Sequence, residues 1–355
     1  MTELLRHPDD CTVSVVIKTL NEERNIARAI ESALAALAPV GGEVIVADSH
    51  STDRTLEIAR QHPVRIARLA DPTERCCGIG PQLGYQWARG RYIYILDGDM
   101  RMHAGFLAEA VAFLAANPRA AGVGGQVVEQ NTTSLEFRAR VERGTAHMRP
   151  GRVDRLDMGG LYRRSAVDAI GYFSDRNLHS YEELDLALRL TMAGWELHRI
   201  AAPAVDHFGH DMPAWRLLRK RWTSHYADGI GELVRTARNR EHLLAIWRTA
   251  REAHIYLGFV LWVAAVLGCS AVLLLVRPTA GLAALALLAV PWLAMSLRKR
   301  SLVKASYSLV SWVVMGAAMV RGVLRRRTDP RAPIAAQFFD GSPRLSDHPA
   351  SAAST

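Results

Sequence analysis

The stretch RYIYILDGDM, residues 91–100, contains the clearest strand pattern in the chain and includes the motif Asp97-Gly98-Asp99. Its run of aromatic and β-branched side chains is typical of a buried strand, so both carboxylates follow directly after a strand end. Carboxylate oxygens are ligands that divalent cations prefer, and the glycine lets the backbone approach a ligand closely. A solvated acidic turn is the alternative, but the position at a strand end favours a binding site.

Outward from this stretch, residues 12–210 alternate between short apolar runs and segments of helical periodicity. The predicted strands are 12–17, 43–47, 64–67, 91–96 and 121–128, and the predicted helices are 26–37, 52–60, 83–88, 106–115, 132–142 and 182–192. Strands separated by helices of this length predict an α/β fold with a doubly wound, mostly parallel sheet. Such sheets bind ligands at the carboxyl ends of their strands.

Other polar residues follow strand ends at the same predicted edge. Asp48 comes directly after the strand 43–47, while Thr19, Asn21 and Glu22 come after the first strand. Together with the carboxylates of the D-x-D motif, these acids predict a cleft for a nucleotide and a metal ion. An Asx turn at Asp48, followed by a helix cap, is the alternative interpretation.

The 355-residue chain has 49% hydrophobic residues and a net charge of +9. Segments 255–276 and 278–297 contain no charged residue, and each is long enough to cross a hydrocarbon core of ~30 Å. Between 298 and 327 there are eight basic and no acidic residues, so most of the excess charge lies beside the apolar segments. This pattern indicates contact with anionic membrane lipids and argues against a nucleic-acid partner.

These patterns divide the chain into four predicted parts. They are an α/β domain at 1–211, amphipathic interface helices at 212–254, a membrane domain at 255–327 and a disordered tail at 328–355. We expect 255–276 and 278–297 to span as a hairpin, with 302–324 in the interface or as a third transmembrane helix. Residues 1–10 lack the apolar core of a signal peptide. The α/β domain is therefore expected in the cytoplasm, on a bacterial-type inner (plasma) membrane.

Three blocks carry a family resemblance: VSVVIKTLNEERNIARAIES at 13–32, VIVADSHSTDRT at 44–55 and IYILDGDM at 93–100. In this order they resemble the family-2 inverting glycosyltransferases, which have the GT-A fold, a Rossmann-like, doubly wound mixed sheet. The resemblance covers roughly residues 12–222. It implies an enzyme that takes a sugar from a nucleotide-sugar donor.

The resemblance also implies roles for the residues at the strand ends. Asp48 matches the acid that contacts the uridine of the donor, and Thr19, Asn21 and Glu22 lie in the donor-binding turn. Asp97 and Asp99 match the family's D-x-D, whose second aspartate binds a divalent cation, Mg²⁺ or Mn²⁺, on the diphosphate. His207 falls where a GT-A enzyme can supply a further metal ligand, although a lone histidine is more often structural.

The blocks MGGLYRRSAVDAIGYF at 158–173 and SYEELDLALRLTMAGW at 180–195 resemble the acceptor-binding half of the family. Within the second block, Glu183 matches the general base of the family's acidic pair. The family more often has aspartate there, so Glu182 and Asp185 stay open as alternatives. A helix N-terminus that favours acidic side chains explains one or two of these acids without catalysis.

Arg221-Trp222 resembles the end of the Q-x-x-R-W motif of processive synthases, but Leu218 replaces the glutamine. This departure argues against a processive polymerase. The resemblance implies that Arg221 and Trp222 contact the donor diphosphate, where an arginine can bind two oxygens at once. A plain interfacial Arg-Trp pair is the open alternative.

The stretch KASYSLVSWVVMGAAMVRG at 304–322 is similar to membrane-bound enzymes that extend lipid-linked exopolysaccharide units. Taken together, the resemblances imply a metal-dependent inverting glycosyltransferase that acts on a lipid-linked saccharide acceptor in exopolysaccharide or cell-surface glycan synthesis. A polyprenyl-phosphate sugar synthase is the first alternative, because its phosphate acceptor needs no base. A non-catalytic membrane scaffold is the second.

Overall fold

The structure is a computed structural model that describes residues 11–130, 148–157, 159–209 and 212–341. The described chain forms two compact units. The first, called here the sheet unit, combines the described parts of Met1–Arg176, Glu182–Asp211 and Thr328–Thr355. The second, the helical unit, combines Asn177–Tyr181 with Met212–Arg327. The chain thus leaves the sheet unit and later returns to it.

A mixed sheet forms the centre of the sheet unit. Its strands are β1 (Val13–Thr19), β2 (Gly42–Asp48), β3 (Arg65–Leu69), β4 (Tyr92–Asp97), β5 (Met100–Met102), β6 (Ala120–Glu129), β7 (Gly151–Val153), β8 (Gly160–Arg163), β9 (Glu196–His207) and β10 (Ala336–Asp340). Their order among the described residues is β10-β3-β2-β1-β4-β8-β6-β9-β5, with β7 paired to β9. Strands β3, β2, β1 and β4 are parallel to one another, which confirms the doubly wound mixed sheet.

Helices between the strands cover the sheet. They are α1 (Ile26–Leu37), α2 (Thr55–Ala59), α3 (Ile79–Trp87), α4 (Phe106–Ala116), α5 (Arg164–Ile170) and α6 (Glu182–Met192). On α1 the buried residues, among them Ile26, Ala29, Ile30 and Ala33, recur at helical spacing and pack against β1 and β2 in one apolar cluster. The predicted helix over 132–142 lies outside the described residues.

The register of the central strands brings the predicted site residues together. On one side of β1, Thr19 pairs with Asp48 of β2. On the other side, Lys18 pairs with Asp97 of β4. Because parallel strands end at the same edge of a sheet, the ends of β1, β2 and β4 lie side by side. The three sequence motifs that follow these strands therefore meet at this edge.

The C-terminal segment corrects one prediction. The tail was expected to be disordered from residue 328, but β10 forms an antiparallel edge strand on β3. The Gln86 side chain exchanges two hydrogen bonds with the backbone of Ile334, and the Phe338 ring stacks on Trp87 at 4.2 Å between centroids. The tail is rich in Ala, Ser and Pro, a composition that predicts disorder. The strand forms because it pairs with β3, which is far away in the sequence. Residues 342–355 lie outside the described part of the chain.

We expect Phe338→Ala to destabilise the sheet unit by about 1–3 kcal/mol, since it removes a half-buried ring that packs on Trp87 and on the Arg65 guanidinium. Chemical denaturation of the full chain, followed by tryptophan fluorescence, measures the loss. Phe339→Ala is the matched control, because that neighbouring ring is 38% exposed. Equal effects of the two substitutions would contradict a specific role for the Phe338 contact.

The helical unit consists of helices among its described residues. They are α7 (Ala214–Thr223), α8 (Gly229–Arg235), α9 (Arg240–Thr249), α10 (Arg251–Val276), α11 (Pro278–Ala286), α12 (Ala289–Lys299) and α13 (Leu302–Leu324). Two of them, α10 with 26 residues and α13 with 23, are long and apolar enough to cross a membrane. The predicted second span at 278–297 is not one helix, because α11 ends at Ala286 and α12 begins at Ala289.

Glycine allows close packing between two helices of this unit. A side chain at Gly316 of α13 would overlap the Val260 side chain of α10. Ser308, Ala318 and Gly322 are also buried on α13. Small residues at helix contacts are typical of packing between membrane helices. This agrees with the alternative in which α13 packs against other helices rather than lying alone at the interface.

Candidate functional site

Asp48 is fully buried at the end of β2. Its carboxylate accepts hydrogen bonds from the Ser51 backbone at 2.9 Å and from the Ser51 hydroxyl, and the Arg68 guanidinium lies 3.7 Å away. Asp48 thus closes its own loop through a residue three positions on, but the helix cap predicted with the Asx turn is wrong, because α2 begins after Arg54, whose side chain makes no cap hydrogen bond. Asn21, in a left-handed conformation with φ of 59°, joins the same loop through Thr52, whose backbone N–H donates to the Asn21 side chain at 2.8 Å. The two predicted donor-binding loops are thus linked into one wall.

Thr19 and Glu22 lie beside the D-x-D motif. A side chain at Gly98 would stand 2.8 Å from the Glu22 side chain and 3.2 Å from the Thr19 hydroxyl, so the motif needs its glycine. Glu22 accepts a hydrogen bond from the Asn25 side chain at 2.9 Å, and burial raises its pKa. The buried Thr19 hydroxyl has no hydrogen-bond partner among the described residues. An unpaired hydroxyl at this edge is suited to a ligand.

Lys18 is a site residue that sequence reasoning missed. Its ammonium lies 3.0 Å from an Asp97 oxygen and 3.5 Å from a Glu182 oxygen. Burial alone would lower the pKa of Lys18, but Asp97 and Glu182 raise it well above its ordinary value. The position just before the end of β1 was the available signal, because β1 and β4 were predicted to be parallel. A fixed positive charge therefore joins the donor motif to the acidic cluster of α6.

Asp99 and His207 form the part of the site that fits a divalent cation. The His207 Nε2 atom is 3.5 Å from Asp99 Oδ2, and its Nδ1 atom is 2.6 Å from Glu129 Oε1. Burial disfavours both charged groups, yet their contact lowers the pKa of Asp99 and raises the pKa of His207. A histidine oriented by a second carboxylate is common among metal ligands.

The Asp99 carboxylate suits either Mg²⁺ or Mn²⁺, whereas the His207 imidazole is a softer ligand that favours Mn²⁺ over Mg²⁺. Among the residues described, no group of three His, Cys, Asp or Glu side chains is placed to hold a metal alone. The pair Asp99 and His207 fits a cation whose remaining ligands come from a bound diphosphate or water. Asp97 has an oxygen in the ion pair with Lys18, so its metal role stays a prediction.

The three acids at the start of α6 have different surroundings. Asp185 is fully buried and accepts from Arg189 at 2.8 Å, and Arg189 is held in turn by two backbone carbonyl groups. Glu182 is 7% exposed and faces Lys18. Glu183 lines a pocket together with Glu182 and Lys18, whereas Asp185 is not among the lining residues described. The geometry therefore favours Glu183 over Asp185 as the candidate base.

Burial raises the pKa of Glu183 to about 8. The Lys18 ammonium works against this shift, while the carboxylates of Glu182, Asp157 and Asp97 add to it. A carboxyl group with its pKa near neutrality, inside a pocket, is a typical general-base candidate.

Arg221 and Trp222 belong to the helical unit, whereas the other predicted site residues belong to the sheet unit. The Arg221 guanidinium lies over the Tyr226 ring at 5.4 Å. The Trp222 ring is covered by the Arg321 guanidinium at 3.9 Å. These contacts fit the alternative of an interfacial pair, and donor contact by Arg221 and Trp222 stays a prediction.

Comparisons with known proteins bear on the family of the chain. The family model "Glycosyl transferase family 2" matches residues 14–171. The uncharacterized glycosyltransferase Mb0553 of Mycobacterium bovis is 30% identical over 200 residues, which are 52% of this chain and 81% of that protein. The succinoglycan biosynthesis protein ExoA of Rhizobium meliloti is 26% identical over 52% of this chain and 59% of its own length.

A third relative is the low-salt glycan biosynthesis hexosyltransferase Agl6 of Haloferax volcanii, 44% identical over 90 residues, which are 25% of this chain. The chain spans about a fifth of the length of Agl6, and a quarter of that of a rice probable glucomannan 4-beta-mannosyltransferase. Among solved structures, residues 1–349 of Staphylococcus aureus TarS align with a TM-score of 0.50 at 16% identity, over 88% of this chain and 92% of that one. This likeness shows the fold.

Proposed function

The chain belongs to family 2 of the glycosyltransferases, and from this premise we propose that it transfers a hexose from a UDP-sugar to a lipid-linked saccharide, with inversion of the anomeric carbon. One observation carries the proposal. The carboxylates of Asp48, Asp97 and Asp99 stand at one edge of the sheet, and Lys18 connects that edge to the pocket of Glu183. The TarS fold was solved with bound UDP-GlcNAc, so a uridine-diphosphate sugar is compatible with this architecture.

In the proposed mechanism, the wall formed by the loops of Asp48 and Asn21 binds the nucleoside. The unpaired Thr19 hydroxyl donates a hydrogen bond to the nucleotide sugar. Asp99 and His207 would hold a divalent cation beside the diphosphate. When bound, such a cation neutralises the charge of the departing nucleotide diphosphate as a Lewis acid. The chain's own contribution is to keep the His207 Nε2 atom facing Asp99, through the hydrogen bond of Nδ1 to Glu129.

Glu183 takes the proton from the acceptor hydroxyl while that oxygen attacks the anomeric carbon. The new glycosidic bond forms on the face opposite the diphosphate. The bond between the anomeric carbon and the diphosphate oxygen breaks at the same time, and the nucleoside diphosphate leaves. One displacement inverts the anomeric centre and needs no nucleophile from the enzyme. A base with a pKa near neutrality is well matched to this proton transfer.

The apolar helices of the helical unit support the membrane part of the proposal. Large apolar side chains on α10, α12 and α13 are exposed, including Leu275 at 89%, Leu297 at 80% and Leu324 at 78%. Continuous apolar surface of this kind needs a cover, and lipid is the cover that fits helices of this length. The proposal therefore places the chain in the inner membrane as a multi-pass protein, with the sheet unit in the cytoplasm. Its acceptor would be a polyprenyl-linked saccharide used in exopolysaccharide synthesis.

The topology of the chain can be tested through its C-terminus. Strands β1 to β9 precede the segment Met212–Arg327 of the helical unit and β10 follows it, yet all belong to one sheet. If the helical unit spans the membrane as proposed, the chain between β9 and β10 crosses it an even number of times. A reporter that is active only in the cytoplasm, fused after residue 355, should be fully active. A silent reporter in a protein that still transfers sugar would contradict this topology.

The function itself is tested with the full chain in nanodiscs that contain bacterial polyprenyl-linked saccharides. A panel of nucleotide sugars is offered, and the lipid-linked product is identified by mass and by the anomeric configuration in NMR. The expected result is one preferred UDP-sugar and an inverted linkage. If no nucleotide sugar is consumed, the proposed function is wrong and the scaffold alternative returns.

We expect Lys18→Met to lower kcat about tenfold to a hundredfold, because Glu182 and Asp97 lose the charge that holds them together. Without that ammonium the pKa of Glu183 rises further, so the rising limb of the pH profile should move to higher pH. Lys18→Arg keeps the charge and should restore most of the rate. Equal rates for the Met and Arg variants would contradict a role of the charge.

A further inference from the structure

The loop that begins at Asp48 and continues to Thr52, called here the Asp48 loop, is fixed by an arginine from another part of the chain. The Arg75 Nε atom donates to the Ser49 carbonyl group at 2.9 Å, and the Nη2 atom donates to the His50 carbonyl group. His50 is left-handed, with φ of 68°, a conformation that is unfavourable for a residue with a side chain. The hydrogen bonds from Arg75 therefore stabilise a loop whose backbone conformation is unfavourable by itself.

Arg75 is held in turn by the residues on either side of it. The Glu74 carboxylate accepts from the Arg176 Nη2 atom at 2.7 Å, and the Cys76 thiol donates to the Arg176 carbonyl group at 3.0 Å. Arg176 is buried, with an exposed fraction of 7%. One buried residue thus fixes both chain neighbours of Arg75, and so the point from which the Arg75 side chain reaches the Asp48 loop.

The C-terminal segment binds the same Arg176 side chain. The Arg176 Nη1 atom donates to the Ala332 carbonyl group at 3.1 Å and to the Pro333 carbonyl group at 3.0 Å. Because guanidinium donors are fixed in a planar fork, one arginine can hold several acceptors in a set geometry. All of these residues belong to the sheet unit. The segment that leads into β10 is thus connected to the Asp48 loop through Arg176 and Arg75.

We propose that Arg176 is a positioning residue for donor binding: it uses the C-terminal segment to keep Arg75, and with it the Asp48 loop, in the shape that binds the nucleoside. This proposal rests on the proposed function and deepens it, because the Asp48 loop is part of the wall assigned to the nucleoside. A loop that is ordered before the ligand arrives loses less entropy on binding. The return of the chain to the sheet unit therefore supports the donor site as well as the edge of the sheet.

The test compares Arg176→Met with Arg163→Met in the full chain in nanodiscs. Arg163 is the matched control, because its guanidinium also donates to backbone carbonyl groups, at Leu114 and Ala120. It lies away from the donor edge, since Arg163 pairs with Tyr92 at the start of β4. Both substitutions remove hydrogen bonds to backbone carbonyl groups, so both should lower the thermal midpoint.

Donor binding should separate the two variants. Without nucleotide, amide hydrogen exchange in residues 49–52 should become about five- to tenfold faster in Arg176→Met and stay unchanged in Arg163→Met. When UDP, GDP and ADP are titrated by calorimetry, Arg176→Met should weaken binding of the preferred nucleotide about three- to tenfold. In transfer assays the donor KM should rise, while kcat and the acceptor KM stay near the wild-type values. Arg176→Lys keeps the charge beside Glu74 without the fork and should be intermediate.

Equal nucleotide affinity in the wild type and Arg176→Met would overturn the proposal, and so would an equal loss of affinity in Arg163→Met. A lower kcat with an unchanged donor KM would also overturn it. If no nucleotide binds the wild type, the proposed function itself is wrong, which the first two outcomes leave intact. If Arg176→Met does not fold, Arg75→Met is the second variant. It removes the direct contacts with the loop and should weaken nucleotide binding about tenfold.

Discussion

Glu183→Gln should lower kcat by about 10²–10⁴, the contribution of a positioned general base. The substitution keeps the size of the side chain and its hydrogen bonds, but it removes the ability to take a proton. Binding of the donor nucleotide should be nearly unchanged, because the proposed mechanism assigns Glu183 to the acceptor hydroxyl. Initial rates at saturating donor, with UDP affinity from calorimetry, measure the two effects separately.

The pH profile gives this prediction a second readout. The base must be unprotonated, so kcat/KM of the wild type should rise with pH and level off above a pKa of about 8. Burial is the largest cause of this raised pKa; among the charged neighbours, Lys18 lowers it, while Glu182, Asp157 and Asp97 raise it. In Glu183→Gln the rising limb should disappear. A limb that persists unchanged would assign the titration to another group.

Stability distinguishes a lost base from a damaged fold. Burial raises the pKa of Glu183 in the folded chain, so the folded state loses stability as the pH rises from the unfolded value near 4.5 through about 8. Removal of the carboxyl should therefore raise the thermal midpoint at pH 8 and leave it nearly unchanged at pH 5. A lower midpoint at both values would mean that the substitution disturbs packing.

The other two acids of α6 are the matched controls. Asp185→Asn should lower stability, since it breaks the buried ion pair with Arg189, while leaving the pH limb in place. If Asp185→Asn instead loses the limb and Glu183→Gln keeps its rate, the base is misassigned. A polyprenyl-phosphate acceptor needs no base. If Glu183→Gln keeps a near-normal rate and Asp185→Asn loses stability but not rate, the result would favour that synthase.

The central part of the fold was predictable because its strands are buried and read as apolar runs. The runs before Thr19, Asp48 and Asp97 each lie within β1, β2 and β4, and parallel pairing then required their ends to meet. Periodicity with a strand-end rule was sufficient here, since neither depends on distant partners. The same reasoning predicted α6 with its bounds unchanged.

Most of the parts that sequence reasoning missed depend on tertiary partners. Lys18 looks like a solvated residue near a strand end until Asp97 and Glu182 are placed around it. Strand β10 has only five residues, and its pairing with β3 joins positions more than 260 apart. The interruption after Ala286 had a signal in the sequence, because the ring of Pro291 clashes with a helical carbonyl group four residues earlier, at Leu287, and proline has no N–H to bond it.

Asp99→Ala should reduce transfer by a factor on the order of 10³ or more, because a cation beside a departing diphosphate contributes several kcal/mol. EDTA should inactivate the unmodified enzyme equally, with recovery on addition of Mn²⁺ or Mg²⁺. The graded control is Glu129→Gln, which leaves both proposed ligands but loses the carboxylate that orients His207, and should lower the transfer rate about 10- to 100-fold.

Mn²⁺ binding in the presence of UDP, followed by electron paramagnetic resonance, provides a readout independent of turnover. The affinity for Mn²⁺ should weaken in the order wild type, Glu129→Gln, Asp99→Ala. Full activity after metal removal, or Mn²⁺ affinity unaffected by Asp99→Ala, would exclude this pair as the cation site. The contact between Asp99 and His207 would then serve only to hold β5 and β9 together through the pairing of Met100 with His207.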